Sequence, residues 1–155
     1  MVMATADGGQ GPSFARMGLS NGSPGRTVKT PVRTFLIEDS PLIRQNLIGM
    51  LEELAPVRVV GAAATESEAV RQLSAGEPEC ELVIVDIVLA QGTGFGVLSD
   101  PAVRRPGRQF VVLSNYATSE VSRRALQLGA QRVFDKSNDI EALVDYCRQL
   151  AAPAA

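Results

Sequence analysis

Two carboxylates stand side by side at Glu38 and Asp39, where the apolar run "TFLI" (34–37) stops. A third, Asp86, ends the run "LVIV" (82–85), Ser114 ends "FVVL" (110–113), and Lys136 follows "RVF" (132–134). Like charges repel and lose hydration when enclosed, so neighbouring carboxylates call for open water or a cation. The chain has no histidine. That removes Ser-His-Asp and Cys-His catalysis, HExxH zinc chemistry and a phosphohistidine on this chain. Oxygen ligands alone favour a hard ion, Mg2+ with Mn2+ as the alternative, which takes one or two carboxylates together with a phosphate. A carboxylate, a metal, a lysine and a hydroxyl are the parts needed for phosphoryl transfer to an aspartate. Asp86 is then the nucleophile, Lys136 and the metal neutralise the phosphoryl oxygens, and Ser114 donates a hydrogen bond to the acquired group.

These side chains share a site only if the elements carrying them share an edge. Short apolar runs at 34–37, 57–60, 82–85, 110–113 and 132–134 alternate with helical patterns, which indicates βαβ units and a parallel sheet. The runs at 34, 82 and 110 are continuously apolar, as strands covered on both faces should be. "VRVV" has a polar interruption and "RVF" is short, which suits the two edges. The expected fold is α/β: a doubly wound, flavodoxin-like, five-stranded parallel sheet of order 2-1-3-4-5 with five flanking helices. In such a sheet, ligands bind at the carboxyl ends of the strands, at the switch point between strands one and three. The singled-out residues all lie at that end.

Helix signals agree with this arrangement. Ser40 is a candidate N-cap with Pro41 at the first helical position, and Ile43, Leu47, Met50 or Leu51, and Leu54 follow with helical spacing. Thr65 and Glu68 have capping-box spacing ahead of Val70 and Leu73. Val121, Ala125 and Leu128 make a narrow stripe closed by Gly129, and Ile140, Leu143, Val144 and Cys147 make the last. A short third helix is expected near 94–99, although Gly92, Gly94 and Gly96 disfavour it.

Composition sets outer limits. A length of 155 residues with 45% apolar content suits one domain with a real core. A net charge of −2 gives no broad basic field, so direct nucleic-acid binding is not expected. No apolar run reaches the ~18 residues of a membrane span, and the first residues lack a secretory signal pattern; no membrane insertion and a cytoplasmic location are expected. Cys80 and Cys147 have no metal-type spacing and are expected reduced and partly buried. Residues 1–32 are rich in Gly, Ser and Pro and are expected to be a flexible extension, in which Arg26 and Lys29 lie. Residues 33–151 form the expected domain and 152–155 a frayed end. The basic stretch "VRRPGR" (103–108) and Arg123 and Arg124 are expected to be solvated.

With these residues in place, the chain resembles the response-regulator receiver domain of two-component signalling. "FLIEDSPLIRQNLIGMLEE" resembles its acidic-pair strand and first helix, "LVIVDIVLAQGTGFGVL" its phosphoacceptor strand and loop, "VVLSN" its hydroxyl strand and "GAQRVFDKS" its lysine strand. The resemblance implies that Asp86 is phosphorylated and that Asp39 binds Mg2+ with the backbone carbonyl of Val88. It further implies that Glu38 acts on the ion through water, that Ser114 moves toward the phosphoryl group, and that Lys136 pairs with it. Three positions depart from the family pattern: Val133 where an aromatic is usual, Ser137 where proline follows the lysine, and Ala90 where the phosphoacceptor loop carries proline. Val88 and Tyr116 occupy positions flanking the route of hydrolytic water in receivers, which implies slow self-dephosphorylation and no other enzymatic activity.

The expected function is a single-domain response regulator. A histidine kinase or histidine phosphotransfer protein donates to Asp86, and the fourth and fifth helical faces signal to a further protein. The alternative is a receiver-like interaction module that is not phosphorylated, which Val133 and Ser137 favour. A metal-dependent aspartyl-phosphate phosphatase would resemble D-x-D-x-T at the nucleophile, and "DIVLA" lacks the second Asp.

Overall fold

The computed structural model describes residues 30–151; the termini beyond, with Arg26 and Lys29, lie outside the described residues. Strands β1 (Val32–Ile37), β2 (Val57–Ala63), β3 (Leu82–Val85), β4 (Gln109–Ser114) and β5 (Arg132–Asp135) alternate with helices α1 (Pro41–Leu54), α2 (Glu66–Ala75), α3 (Gly94–Ser99), α4 (Ser119–Gln127) and α5 (Ile140–Ala151). All strand pairs are parallel, in the expected order β2-β1-β3-β4-β5. Strand β2 runs three residues past "VRVV", and its pairing with β1 shifts register between Thr34 and Phe35.

Alternation along the buried strands divides the core into two layers. Leu36, Leu82, Ile84, Val111, Leu113 and Phe134 face α1 and α5, where Leu47, Leu51, Leu143, Val144 and Cys147 cover them. Phe35, Ile37, Val83, Val85, Phe110 and Val112 face α2, α3 and α4, where Ala69, Leu73, Val97, Leu98 and Ala125 cover them. Burial of this kind contributes about 25 cal/mol for each Å2 of apolar surface removed from water, and it fixes which strand ends lie side by side.

Helix caps follow the sequence closely. Ser40 Oγ accepts the Ile43 N–H, and Thr65 Oγ1 accepts the Glu68 N–H. The Glu68 carboxylate reaches the Ala64 N–H, one residue before the cap, rather than that of Thr65 itself. Helix α3 forms over Gly94–Ser99 despite its glycines, with Thr93 as N-cap.

Two expectations are corrected. The inward stripe of α1 narrows to Leu47 and Leu51; Ile43 and Leu54, near the ends of the helix, are 36% and 45% exposed. The stretch 103–108 is only partly the solvated loop expected: Arg105, Pro106 and Gly107 are exposed, but its arginines are anchored to neighbouring elements. Arg104 lies over the Phe110 ring and its Nη2 donates to Leu98 O and Leu128 O. Arg105 donates to Ser74 O, and the buried Arg108 donates to Leu73 O and Val103 O. These guanidiniums satisfy carbonyls at the carboxyl ends of α2, α3 and α4, groups that have no partner within their own helices. Arg124 likewise packs over the Phe95 ring, 4.3 Å from its centroid. Both cysteines are buried free thiols.

Candidate functional site

The parallel ladder sets the strand ends level. Residue Ile37 pairs with Val85, Val85 with Val112, and Ser114 with Asp135. Past the strands, the Asp86 N–H donates to Ile37 O (3.0 Å), the Glu38 N–H to Ala63 O (3.0 Å) and the Lys136 N–H to Ser114 O (3.1 Å). Glu38, Asp39, Asp86, Ser114 and Lys136 therefore emerge at the same edge from segments far apart in sequence.

The three carboxylates offer oxygens that lie within 4.8 Å of one another. Glu38 and Asp86 are buried, at 2% and 7% exposure, and Asp39 is half-buried. Lys136 Nζ lies 2.5 Å from Glu38 Oε1 and 2.8 Å from Asp86 Oδ2. Burial desolvates this ammonium and pulls its pKa down. The hydrogen bonds and charges of Asp86 and Glu38 more than offset that, leaving the pKa above the ordinary lysine value. One cation thus faces three acids.

The acids differ in their remaining freedom. Glu38 is fully engaged: Oε1 takes Lys136, Oε2 accepts the Ser40 N–H (3.1 Å), and its backbone carbonyl accepts Arg44 Nη1 (2.7 Å). Asp86 accepts Lys136 on one oxygen. Among the described residues no donor reaches the Asp39 carboxylate, so it alone is unpaired. An all-oxygen donor set, tightly grouped and formally two positive charges short, fits a hard divalent cation. Ser114 is fully buried, and its Oγ accepts the Tyr116 N–H (3.1 Å). Val88 lies in the loop after Asp86, pairing with Thr93 across it. Val88 and Tyr116 are large exposed apolar side chains, at 51% and 56%.

Sequence reasoning passed over two residues that shape this edge. Arg44 holds the Glu38 carbonyl from the first turns of α1. Gly94 was legible only as a helix breaker. Its N–H donates to Ile87 O (2.9 Å), and a methyl group on it would collide with the Asp86 carbonyl and come within 2.8 Å of Val85 Cγ1. Only glycine lets α3 start this close to the Asp86 backbone.

The family model of the response regulator receiver domain matches residues 34–148. The chain belongs to this family. It is thus a receiver domain of two-component response regulators, with the family's five-stranded parallel architecture. It is 28% identical over 99 residues to the transcriptional activator DevR/DosR of Mycobacterium tuberculosis, covering 64% of this chain and 45% of that protein. It is 29% identical over 107 residues to a protein-glutamate methylesterase/glutaminase of Syntrophus aciditrophicus, covering 68% of this chain and 30% of that one. The receiver domain therefore spans less than half the length of either relative. In fold it is similar to CheY of Borrelia burgdorferi in complex with CheX, BeF3 and Mg2+ (TM-score 0.69, 18% identity, 80% and 92% of the two chains). It is also similar to the response regulator domain of Thermotoga maritima CheB (TM-score 0.67, 19% identity, 81% and 99%). No helix among the described residues is long and apolar enough to cross a membrane.

Proposed function

We propose that this receiver domain accepts a phosphoryl group on Asp86 in a Mg2+-dependent step. The observation that carries the reading is the unpaired Asp39 carboxylate beside an Asp86 already held by Lys136. Asp39 and Asp86 would hold the ion with the Val88 carbonyl, and Glu38, occupied by Lys136 and Ser40, would act on it through water. When bound, Mg2+ neutralises phosphoryl oxygens and so lowers the barrier to attack. Asp86 supplies the attacking oxygen, forming a P–O bond as the donor's bond to phosphorus breaks. Lys136 pairs with the new phosphoryl oxygens, and the Ser114 hydroxyl donates to one of them while keeping the Tyr116 N–H. A solved response regulator of Burkholderia pseudomallei, similar in fold at TM-score 0.64 and 24% identity, contains a phosphorylated aspartate with a calcium ion, which supports the reading.

The donor is a histidine kinase or histidine phosphotransfer protein, the location is cytoplasmic, and output passes to another protein through the faces of α4 and α5. The receiver domain itself contributes phosphoryl acceptance and slow self-dephosphorylation. Incubation with Mg2+ and acetyl phosphate, followed by intact mass measurement, tests this. One phosphoryl adduct is expected, lost in Asp86→Asn and with EDTA; an adduct that survives Asp86→Asn refutes the assignment. A second reading, an interaction module without phosphorylation, draws on the β5 departure. Val133 packs on the α4 side of the sheet and Phe134 on the α5 side against Tyr146, so no aromatic takes the usual switch position.

A further inference from the structure

The loop that follows Asp86 is held from a direction the proposed chemistry does not use. Glu66, the first residue of α2, donates its N–H to Gln91 O (3.0 Å), and its Oε1 accepts the Thr93 N–H (2.9 Å). Its carboxylate lies over two glycines. A methyl group at Gly92, where φ is +78°, would meet Glu66 Oε1 at 2.5 Å, and one at Gly96 would collide with the carboxylate itself. The side chain therefore occupies the space that the missing side chains of Gly92 and Gly96 leave open, and it grips the segment between them.

That segment needs an outside hold. "AQGTG" (90–94) contains two glycines and no proline, so its backbone has many conformations to lose on ordering. Thr93, gripped by Glu66 on one side, pairs with Val88 on the other. Gly94 then closes against the Asp86 backbone. A continuous set of contacts runs from Glu66 to Thr93, to Val88, and back to Asp86.

We propose that Glu66 is a positioning residue for phosphoryl acceptance: by holding Thr93 it fixes, through the Val88–Thr93 pairing, the Val88 carbonyl and the aim of Asp86 toward the divalent ion. This rests on Asp86 being the phosphoacceptor. Glu66 touches neither the ion nor the phosphoryl group, so its removal raises the Mg2+ concentration needed for reaction and leaves the plateau rate unchanged. Misplaced supporting groups around metal sites typically cost tenfold or more in metal affinity.

The test uses the whole chain, with the fold of each variant checked by circular dichroism. Adduct formation with acetyl phosphate is followed by intact mass across a Mg2+ titration, and exchange of the Thr93 amide by NMR. In Glu66→Ala, half-maximal labelling is expected to need about tenfold more Mg2+ at an unchanged plateau, with Thr93 exchanging about tenfold faster. Glu66→Gln keeps an oxygen acceptor for Thr93 and stays within about twofold of wild type. Gly96→Ala evicts the carboxylate and reproduces Glu66→Ala; in the double variant the two changes are not additive. An unchanged Mg2+ requirement in Glu66→Ala, even with lowered stability, leaves Glu66 a plain helix-start residue and overturns the proposal alone, as does unchanged Thr93 exchange. No adduct on wild type, or one surviving Asp86→Asn, removes the phosphoacceptor reading and this proposal with it.

Discussion

Replacing Asp39 with asparagine should make the metal-free domain more stable while abolishing its response to Mg2+. The side chain is nearly isosteric, so packing is preserved and charge is the variable. The carboxylate oxygens of Glu38, Asp39 and Asp86 lie within 4.8 Å of one another. At that distance one pair of like charges repels by about 3.5 kcal/mol at an effective dielectric of 20, and by about 0.9 kcal/mol in bulk water. Asp39 faces two carboxylates and one ammonium, so the net is roughly one repulsion. Its half-exposure places the value between the limits, about 1–3 kcal/mol. For a domain of this size that is a rise of about 3–10 °C in Tm. In wild type, Mg2+ at a hundred times its Kd would add about 2.7 kcal/mol; in Asp39→Asn it would add almost nothing. Thermal unfolding in EDTA and in a Mg2+ series reads both effects. A variant that melts at or below wild type in EDTA, or that Mg2+ still stabilises, refutes the reasoning.

Three further outcomes are expected. Gly94→Ala drives a methyl group into the Asp86 carbonyl and should cost about 1–3 kcal/mol together with most phosphoryl labelling, whereas Gly49→Ala, on the exposed face of α1 with open space around it, should stabilise by about 0.5–1 kcal/mol; chemical denaturation of both variants checks the contrast. Burial pushes the Cys147 thiol from 9.0 up to about 11, so the native state holds that proton longer than the unfolded chain, and its contribution is complete below pH ~9 and lost as pH rises toward ~11, about 2–3 kcal/mol in all. Lys136, also raised, acts in the same direction above the ordinary lysine pKa; Cys147→Ala should therefore flatten the stability profile between pH ~9 and ~11 only. The phosphorylated form should persist for minutes or longer at neutral pH, because Val88 and Tyr116 place bulky apolar groups at the rim of the site; decay within seconds, measured by loss of the adduct, counts against it.

The strand order was readable because edge and centre are chemically different. Arg58 interrupts the apolar run of β2, and the short β5 begins at the exposed Arg132; these two strands are the edges. The site was readable for a related reason, since charges placed directly after buried runs must share the sheet's carboxyl edge. What escaped depends on contacts between distant segments. Arg104, Arg105 and Arg108 read as solvated because a run of arginines beside proline and glycine usually is, yet the carbonyls ending three helices converge on them. Gly92, Gly94 and Gly96 read as poor helix formers; their reason is the Glu66 side chain and the Asp86 backbone approaching from elsewhere. Ile43 and Leu54 kept the helical period of α1 but lie near its ends, where little of the sheet remains to cover them.

Lys136 is contributed by the segment after the last strand, almost a hundred residues after Glu38, which it neutralises. A ribosome delivers the acids first and their counter-ion last. A chain interrupted before that residue holds two carboxylates in a nearly dry recess with nothing to balance them, a state that favours reopening over closure. The recess is thereby balanced only in chains whose synthesis has run through the fifth strand, and truncated copies should be the more open to proteolysis.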